Sequence, residues 1–418
     1  MNSQDNLFSF IKSSPSPFHA IDTVAKRLDS EGFTRIYENV ECSFEEGRGY
    51  YVIRNGSSLI AFRYSKGGFM ICASHSDSPS FKVKSISEDR TYARLITERS
   101  GGMIMYSWLD RPLSLAGRVL LRTEDGVRSQ NLLIDSDLFV IPSLAIHQNP
   151  EVNTAFKPNP ATDLLPITSH GVELNSLLAE KFGVREADIL SSDLYLFVRE
   201  EGRVVGGEYI LCPRLDDLEC VYASTEAFLA AEQGDSVPVL AIFDNEENGS
   251  ATKQGADSDF LYMTLLRIAG DMDSYRMRLC NSFMVSADNA HAKHPAHPEL
   301  SDKEFAPLMN GGVVIKKSAS QSYATDGMSE AVFTEICRRA EVKTQIFHNR
   351  ADLRGGTTLG PIANTSVSVP TVDIGLAQLA MHSAVETAGA ADVDEMIRAL
   401  TVFYSTTLSV AGEKITIK

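Results

Sequence analysis

The chain has 418 residues, more than one hydrophobic core usually spans, so two domains or one large domain carrying an insertion is the expected organisation. Its apolar content of 43% and charged content of 22% are those of a globular protein, and a formal net charge of -16 argues against a nucleic-acid or anionic-membrane partner. No run reaches the roughly 18 apolar residues of a membrane span and the first residues lack a basic-then-apolar leader, so a cytoplasmic protein is expected.

In chain order, "SPFHAIDTVAKRLDSEGF" fits a helix with Ser16 as cap, Pro17 in the first turn, and Phe18, Ile21, Val24 and Leu28 on one face. "YYVIRNGSSLIAFRY" predicts a hairpin turning at Asn55-Gly56, and "GGFMICAS" a strand apolar enough to be buried on both faces. From about 92 to 208 the pattern changes: "GRVLLRTEDGV", "LFVIPSLAIH" and "DLYLFVRE" read as strands of a β-rich insertion. The six cysteines are scattered, with no CxxC, and read as reduced, buried thiols.

After about 209, helix and strand alternate again. "LDDLECVYASTEAFLAAEQ", "DFLYMTLLRIAG" and "SEAVFTEICRRAEV" predict helices between the strands "VPVLAIF", "SFMVSA", "TQIFHN" and "TVDIG". "DVDEMIRALTVFYSTTLSV" closes the chain as a helix with Val393, Met396, Ile397, Leu400, Phe403 and Tyr404 inward. The expected fold is α/β: a three-layer α/β/α catalytic domain with a mixed, mostly parallel sheet over 1–91 and 209–418, interrupted by a β-rich oligomerisation domain over 92–208.

Four of these segments end in chemistry-bearing residues. His75 and Asp77 follow "FMICAS", Glu246 and Glu247 follow "VPVLAIF", Asp288 follows "SFMVSA", and His382 comes soon after "TVDIG". Ligands of open α/β sheets bind outside the carboxyl ends of the strands. Any one acid there more often caps a helix or sits in a turn, and Asp216 in "PRLDDLE" can equally favour a helix N-terminus, but the set together suits a two-metal hydrolase. Such a site needs His and carboxylate ligands around two ions roughly 3.5 to 4 Å apart, and a separate carboxylate to move the water's proton. In extended backbone Glu246 and Glu247 point opposite ways, so one can bind metal while the other faces the water. Asp77, two residues from His75, can hold its imidazole in the ligating tautomer.

In order and spacing, "ASHSDSPSFKVK", "PRLDDLE", "FDNEENGSATKQGA", "SADNAHAKHPAHPE", "VIKKSASQSYAT" and "MHSAVETAG" resemble the signature segments of the aspartyl aminopeptidase family of zinc metallopeptidases. The resemblance implies two Zn2+ per subunit, with Mn2+ or Co2+ as possible substitutes. It implies that His75, Asp216 and Asp288 hold one ion and Asp216, Glu247 and His382 the other, with Glu246 as general base. His294, Lys316 and Tyr323 would lie near the substrate, and His147 of the insertion would reach a neighbouring subunit's site; the plainer readings are a solvated Lys316 and an interface His147. The chain departs from the family at Asp217, where Asn is frequent, and in the loop "NRADLRGGTTLGPI".

The implied activity is removal of single N-terminal residues, Asp or Glu preferred, from peptides with a free N-terminus. The implied assembly is a homo-oligomer, a tetrahedral dodecamer built from dimers. Two other enzymatic readings fit the same ligand set: an aminopeptidase preferring neutral residues such as Leu, and a two-metal amidohydrolase or deacylase. A self-assembling structural protein with a vestigial site is a third, disfavoured because every inferred ligand is present.

Overall fold

A computed structural model describes residues 3–88, 92–353 and 355–418. Two units result: Met1–Asp77, Gly202–Met381 and Glu386–Lys418 make the larger, and Ser78–Glu201 with His382–Val385 the smaller. The sequence placed these edges at 91/92 and 208/209; residue 91 itself lies outside the described residues. The earlier edge has a simple cause, because Ser80–Glu88 pairs with Ala93–Ser100 and Ile189–Val198 and so goes with the smaller unit.

The larger unit is built on a nine-stranded mixed sheet. Its central strands, Val237–Phe243, Phe69–His75, Phe283–Ala287 and Thr371–Gly375, run parallel. The Asn55-Gly56 hairpin forms as expected, with Arg54 opposite Ser58 and both turn residues at positive φ, 56° and 74°, the geometry that favours Asn-Gly. Every residue of Phe69–His75 is buried, and alternate residues feed two cores. Phe69, Ile71 and Ala73 pack with Phe260, Leu265 and Tyr275, while Met70 and Cys72 pack with Val221, Phe228 and Leu400. Helices therefore cover both faces of the sheet, as a continuously apolar strand demands. Full burial of a side chain such as Phe69 is worth about 1.5–3 kcal/mol.

The expected helices appear at Pro17–Ser30, Leu215–Ala230, Phe260–Ala269, Gly327–Arg339 and Asp392–Ser405. Ser16 flanks the first, but its hydroxyl pairs with the His19 ring at 2.8 Å rather than capping a backbone N–H. The sequence reading missed the Ser3–Ser13 and Met272–Leu279 helices and a five-stranded sheet of strands two to four residues long.

The smaller unit holds a six-stranded antiparallel sheet. Gly117 is required there, because a Cβ at this position would lie 2.0 Å from the Asp193 carbonyl of the paired strand. The expected strand "LFVIPSLAIH" is a correction: only isolated bridges form, at Phe139 and Val140. Pro142 lacks the N–H that would continue the ladder. A helix, Leu174–Phe182, was not foreseen. No disulfide forms among the six cysteines; four are buried as expected, whereas Cys42 and Cys280 are exposed.

Candidate metal centre

Three segments of the larger unit bring acids to the carboxyl ends of the parallel strands. After Val237–Phe243, Asn245 at φ 65° turns the chain into a short 3-10 turn, Glu246–Asn248, closed by Gly249 at φ 90°. Glu246 and Glu247 therefore do not lie in extended backbone, and it is the turn that sets their directions. The first N–H groups of such a turn lack partners in their own segment. Asp77 supplies them, its Oδ1 accepting from the Glu246 N–H at 3.1 Å and its Oδ2 from the Glu247 N–H at 3.2 Å.

That use of the carboxylate changes the role expected of Asp77. The His75 Nδ1 lies 3.0 Å from the Asp77 backbone carbonyl and 3.5 Å from Oδ1, so the carbonyl is the nearer acceptor for the ring N–H. The ring's Nε2 is thereby left toward Asp216, with Oδ1 at 3.6 Å.

The helix Leu215–Ala230 is interrupted at its start. Asp216 and Asp217 have non-helical backbone angles, and the peptide between them is cis. Glu386, from a strand far along the sequence, accepts the Asp216 N–H at 3.0 Å. Asp217 accepts the His75 N–H at 3.0 Å through Oδ2. The departure from the family pattern at Asp217 is thus a buried carboxylate tied to the strand end that carries His75.

His75, Asp216, Asp217 and Asp288, all buried, each offer a ligand atom within 4.8 Å of the others, and His75, Glu246 and Glu247 form a second such group. Lys316 is a nearby cation, its ammonium 3.4 Å from Asp288 Oδ1 and 3.1 Å from the Asn289 carbonyl. One lysine cannot balance so many carboxylates out of water, and the acids show it. Burial, then neighbouring Asp288 and Asp216 against the opposing His75, hold Asp217 well above the usual carboxylate range. Burial and nearby acids likewise push Glu246 up to about 8 and, with Asp77 beside it, Asp244 up to about 7. For His75, burial works against the charged form, but Asp217, Asp216 and Asp77 outweigh it and raise the ring. A set of oxygen and imidazole donors, buried and with excess negative charge, fits a divalent cation such as zinc.

The other expected residues fall as follows. Tyr323 is buried beside Phe347, its ring 5.5 Å from the Lys316 ammonium. His294 is exposed, accepting the Ala296 N–H and lying against His297. His147 is exposed on the smaller unit. His382 also belongs to the smaller unit, where its Nδ1 lies 2.7 Å from the Gly102 carbonyl and its own carbonyl accepts the Ile104 N–H. The departing loop lines a cavity of about 990 Å³, Arg350 of the loop facing it together with Lys317, His348 and Asp302; Arg354 of the loop lies outside the described residues. Glu386 and Asn289 were missed. Glu386 sits inside the quoted "MHSAVETAG", yet only the folded chain shows it gripping Asp216.

The match to known proteins is extensive. Residues 10–404 fit the model of the aminopeptidase I zinc metalloprotease (M18) family. A probable M18 family aminopeptidase 2 of Clostridium acetobutylicum is 42% identical, with 96% of this chain and 98% of that protein covered. Among solved structures, Ape4 in its complex with Nbr1 superposes with a TM-score of 0.92 at 33% identity, covering 96% of this chain and 85% of that one. The mApe1 dodecamer of Saccharomyces cerevisiae gives 0.84 at 26% identity, with 96% of each chain covered.

Proposed function

This chain belongs to the M18 family of zinc metallo-aminopeptidases, and from that premise we propose that it removes single acidic residues, Asp or Glu, from the free N-termini of peptides. The observation that carries the mechanism is the Asp77 carboxylate holding the backbone of Glu246 and Glu247 beside His75.

His75, Asp216 and Asp288 would hold one zinc, and Asp216, Glu247 and His382 the second, as the family resemblance assigns them. Zinc ions held by these residues would supply Lewis-acid polarisation of the scissile carbonyl and a water of lowered pKa. Glu246 would take the proton of the attacking water and return it to the leaving amine. Asp77 keeps Glu246 in place by its backbone, and the Asp77 carbonyl fixes the His75 tautomer. Lys316 and Tyr323 lie on the substrate side in this reading, with His294 and a neighbouring subunit's His147 as further substrate contacts. The proposed assembly is a tetrahedral homododecamer of dimers formed through the inserted domain, with support from the dodecamer of mApe1. The proposed location is the cytoplasm; no helix among the described residues is long and apolar enough to cross a membrane.

A preference for neutral residues such as Leu is the second reading. It is favoured by the Lys316 ammonium, which already meets Asp288 and the Asn289 carbonyl and is less available to a substrate carboxylate. Initial rates of the zinc-loaded protein on matched peptides beginning with Asp, Glu or Leu, with an N-acetylated control, separate these readings. Faster cleavage of Asp or Glu peptides supports the proposal, and faster Leu cleavage overturns the specificity. Cleavage of the acetylated control alone would replace the aminopeptidase with a deacylase.

A further inference from the structure

Asn289 follows Asp288 directly, is 2% exposed, and its side chain meets five hydrogen-bond partners. Its Nδ2 lies 3.1 Å from each of three acceptors: the Leu215 carbonyl, Glu219 Oε2 and Gln378 Oε1. Its Oδ1 accepts from the Cys220 thiol and the Leu376 N–H, both at 3.3 Å. Lys316 donates to its backbone carbonyl. Rotating the amide by half a turn would face N–H against N–H and oxygen against three oxygens, so only one orientation satisfies the surroundings.

The partners matter for where they sit. Leu215 immediately precedes Asp216, and Glu219 and Cys220 occupy the next turn of the same helix. Leu376 and Gln378 belong to the segment that receives the Asp288 and Ala290 N–H groups. One amide therefore ties the backbone before Asp216 to the residue after Asp288. Gly375 leaves no slack behind that segment, since a Cβ there would lie 2.1 Å from the Asp288 carbonyl.

We propose that Asn289 is a positioning residue that sets the spacing of Asp216 and Asp288 and thereby the affinity of the zinc site they share. The inference rests on the metal assignments of the proposed function. No other side chain can do this work in place of the amide, because the position demands two donated hydrogens on one side and an acceptor on the other. Aspartate, of nearly the same shape, would turn an oxygen toward Glu219, Gln378 and the Leu215 carbonyl.

The test measures zinc affinity by competition with a chromophoric chelator, together with kcat and KM against free zinc, for the wild-type protein, Asn289→Asp and Asn289→Ser. The expected result is a zinc affinity about 10- to 100-fold weaker in both variants, the range seen when an outer hydrogen-bond partner of a metal ligand is lost. At limiting zinc kcat should fall with KM unchanged, and raised zinc should restore it. The control Asp193→Asn, in the smaller unit between Lys82 and Arg118, should bind zinc as the wild type does. Wild-type zinc affinity in Asn289→Asp and Asn289→Ser overturns the proposal. So does a loss of activity that zinc does not restore and that accompanies a lower melting temperature of the zinc-free protein. The Ser variant carries the test if the Asp variant does not fold. A wild-type protein that binds zinc but cleaves no peptide removes the peptidase reading and leaves the affinity comparison standing.

Discussion

Asp193 in the smaller unit and Asp217 in the larger both lose solvent, yet their protons respond in opposite directions. Asp193 sits between Lys82 and Arg118, each with a nitrogen 2.9 Å from a carboxylate oxygen, and these cations hold it below its ordinary range although burial pushes the other way. Asp217 has Asp216, Asp288 and a lone imidazole for company, and burial carries it upward. The first acid is neutralised by the protein itself and serves the sheet. The second group, in which the proposed function gives Asp216 and Asp288 to a zinc ion, is left short of positive charge, as a site for a divalent cation requires. The sign of the surroundings, more than burial alone, separates an acid neutralised by its own protein from one in a cluster suited to a cation.

The largest effect should come from within the acid-rich group. Glu246→Gln should lower kcat about 10²- to 10⁴-fold while metal content stays at the wild-type level, checked by steady-state rates and elemental analysis. A variant that keeps most of its activity would remove Glu246 as the base. Next in size is metal removal: zinc at about a thousand times its dissociation constant stabilises a site by about 4 kcal/mol, so a chelator should lower the melting temperature and added zinc restore it. An unchanged melt would mean that the acids are not waiting for a cation.

A third test uses a group of the opposite charge. Burial lowers His19 to about 4, so folding excludes its proton. Above pH 6.5 neither folded nor unfolded chain is protonated there. Between 6.5 and 4 only the unfolded chain takes the proton, and stability should fall by up to about 3 kcal/mol across that window, then level off. Denaturant melts of wild type and His19→Asn from pH 7 to 4 check this, the variant losing that component. The smallest effect is expected at Asp193, where Asp193→Asn should cost about 1 kcal/mol of stability, since its partners are partly solvated, and leave metal content alone. A change in metal content would break the distinction drawn between the two acids.

How much of this was readable in advance depended on distance along the chain. The apolar runs ending in His75, Glu246 and Asp288 were visible because a buried strand and its terminal residues are a local pattern, and the Asn55-Gly56 turn was visible for the same reason. The grip of Glu386 on Asp216, 170 residues apart, and the meeting of Asn289 with Leu215 and Gln378 are products of tertiary structure with no local trace. Asp77 lies between: its nearness to His75 was legible, but not that its carboxylate would serve the Glu246 turn instead. "LFVIPSLAIH" misled because its composition is that of a strand while Pro142 interrupts the ladder. The short strands such as Tyr209–Cys212 and Glu386–Gly389 carry too few residues to show a period.

The order of strands also bears on how the chain comes to be made. Phe69–His75 lies between Val237–Phe243 and Phe283–Ala287 in the sheet, and more than 150 residues separate it from the nearer of these in sequence. At ribosomal speeds of about 5 to 20 residues per second, that strand waits on the order of ten seconds or more for its neighbours. Throughout that interval its apolar side chains and both backbone edges are open to other nascent chains. Ser78–Glu201 of the smaller unit is translated during the same wait and can pair its own strands first. Slowing translation should therefore raise the yield lost to aggregates, and a chaperone that shields apolar segments during synthesis should recover it.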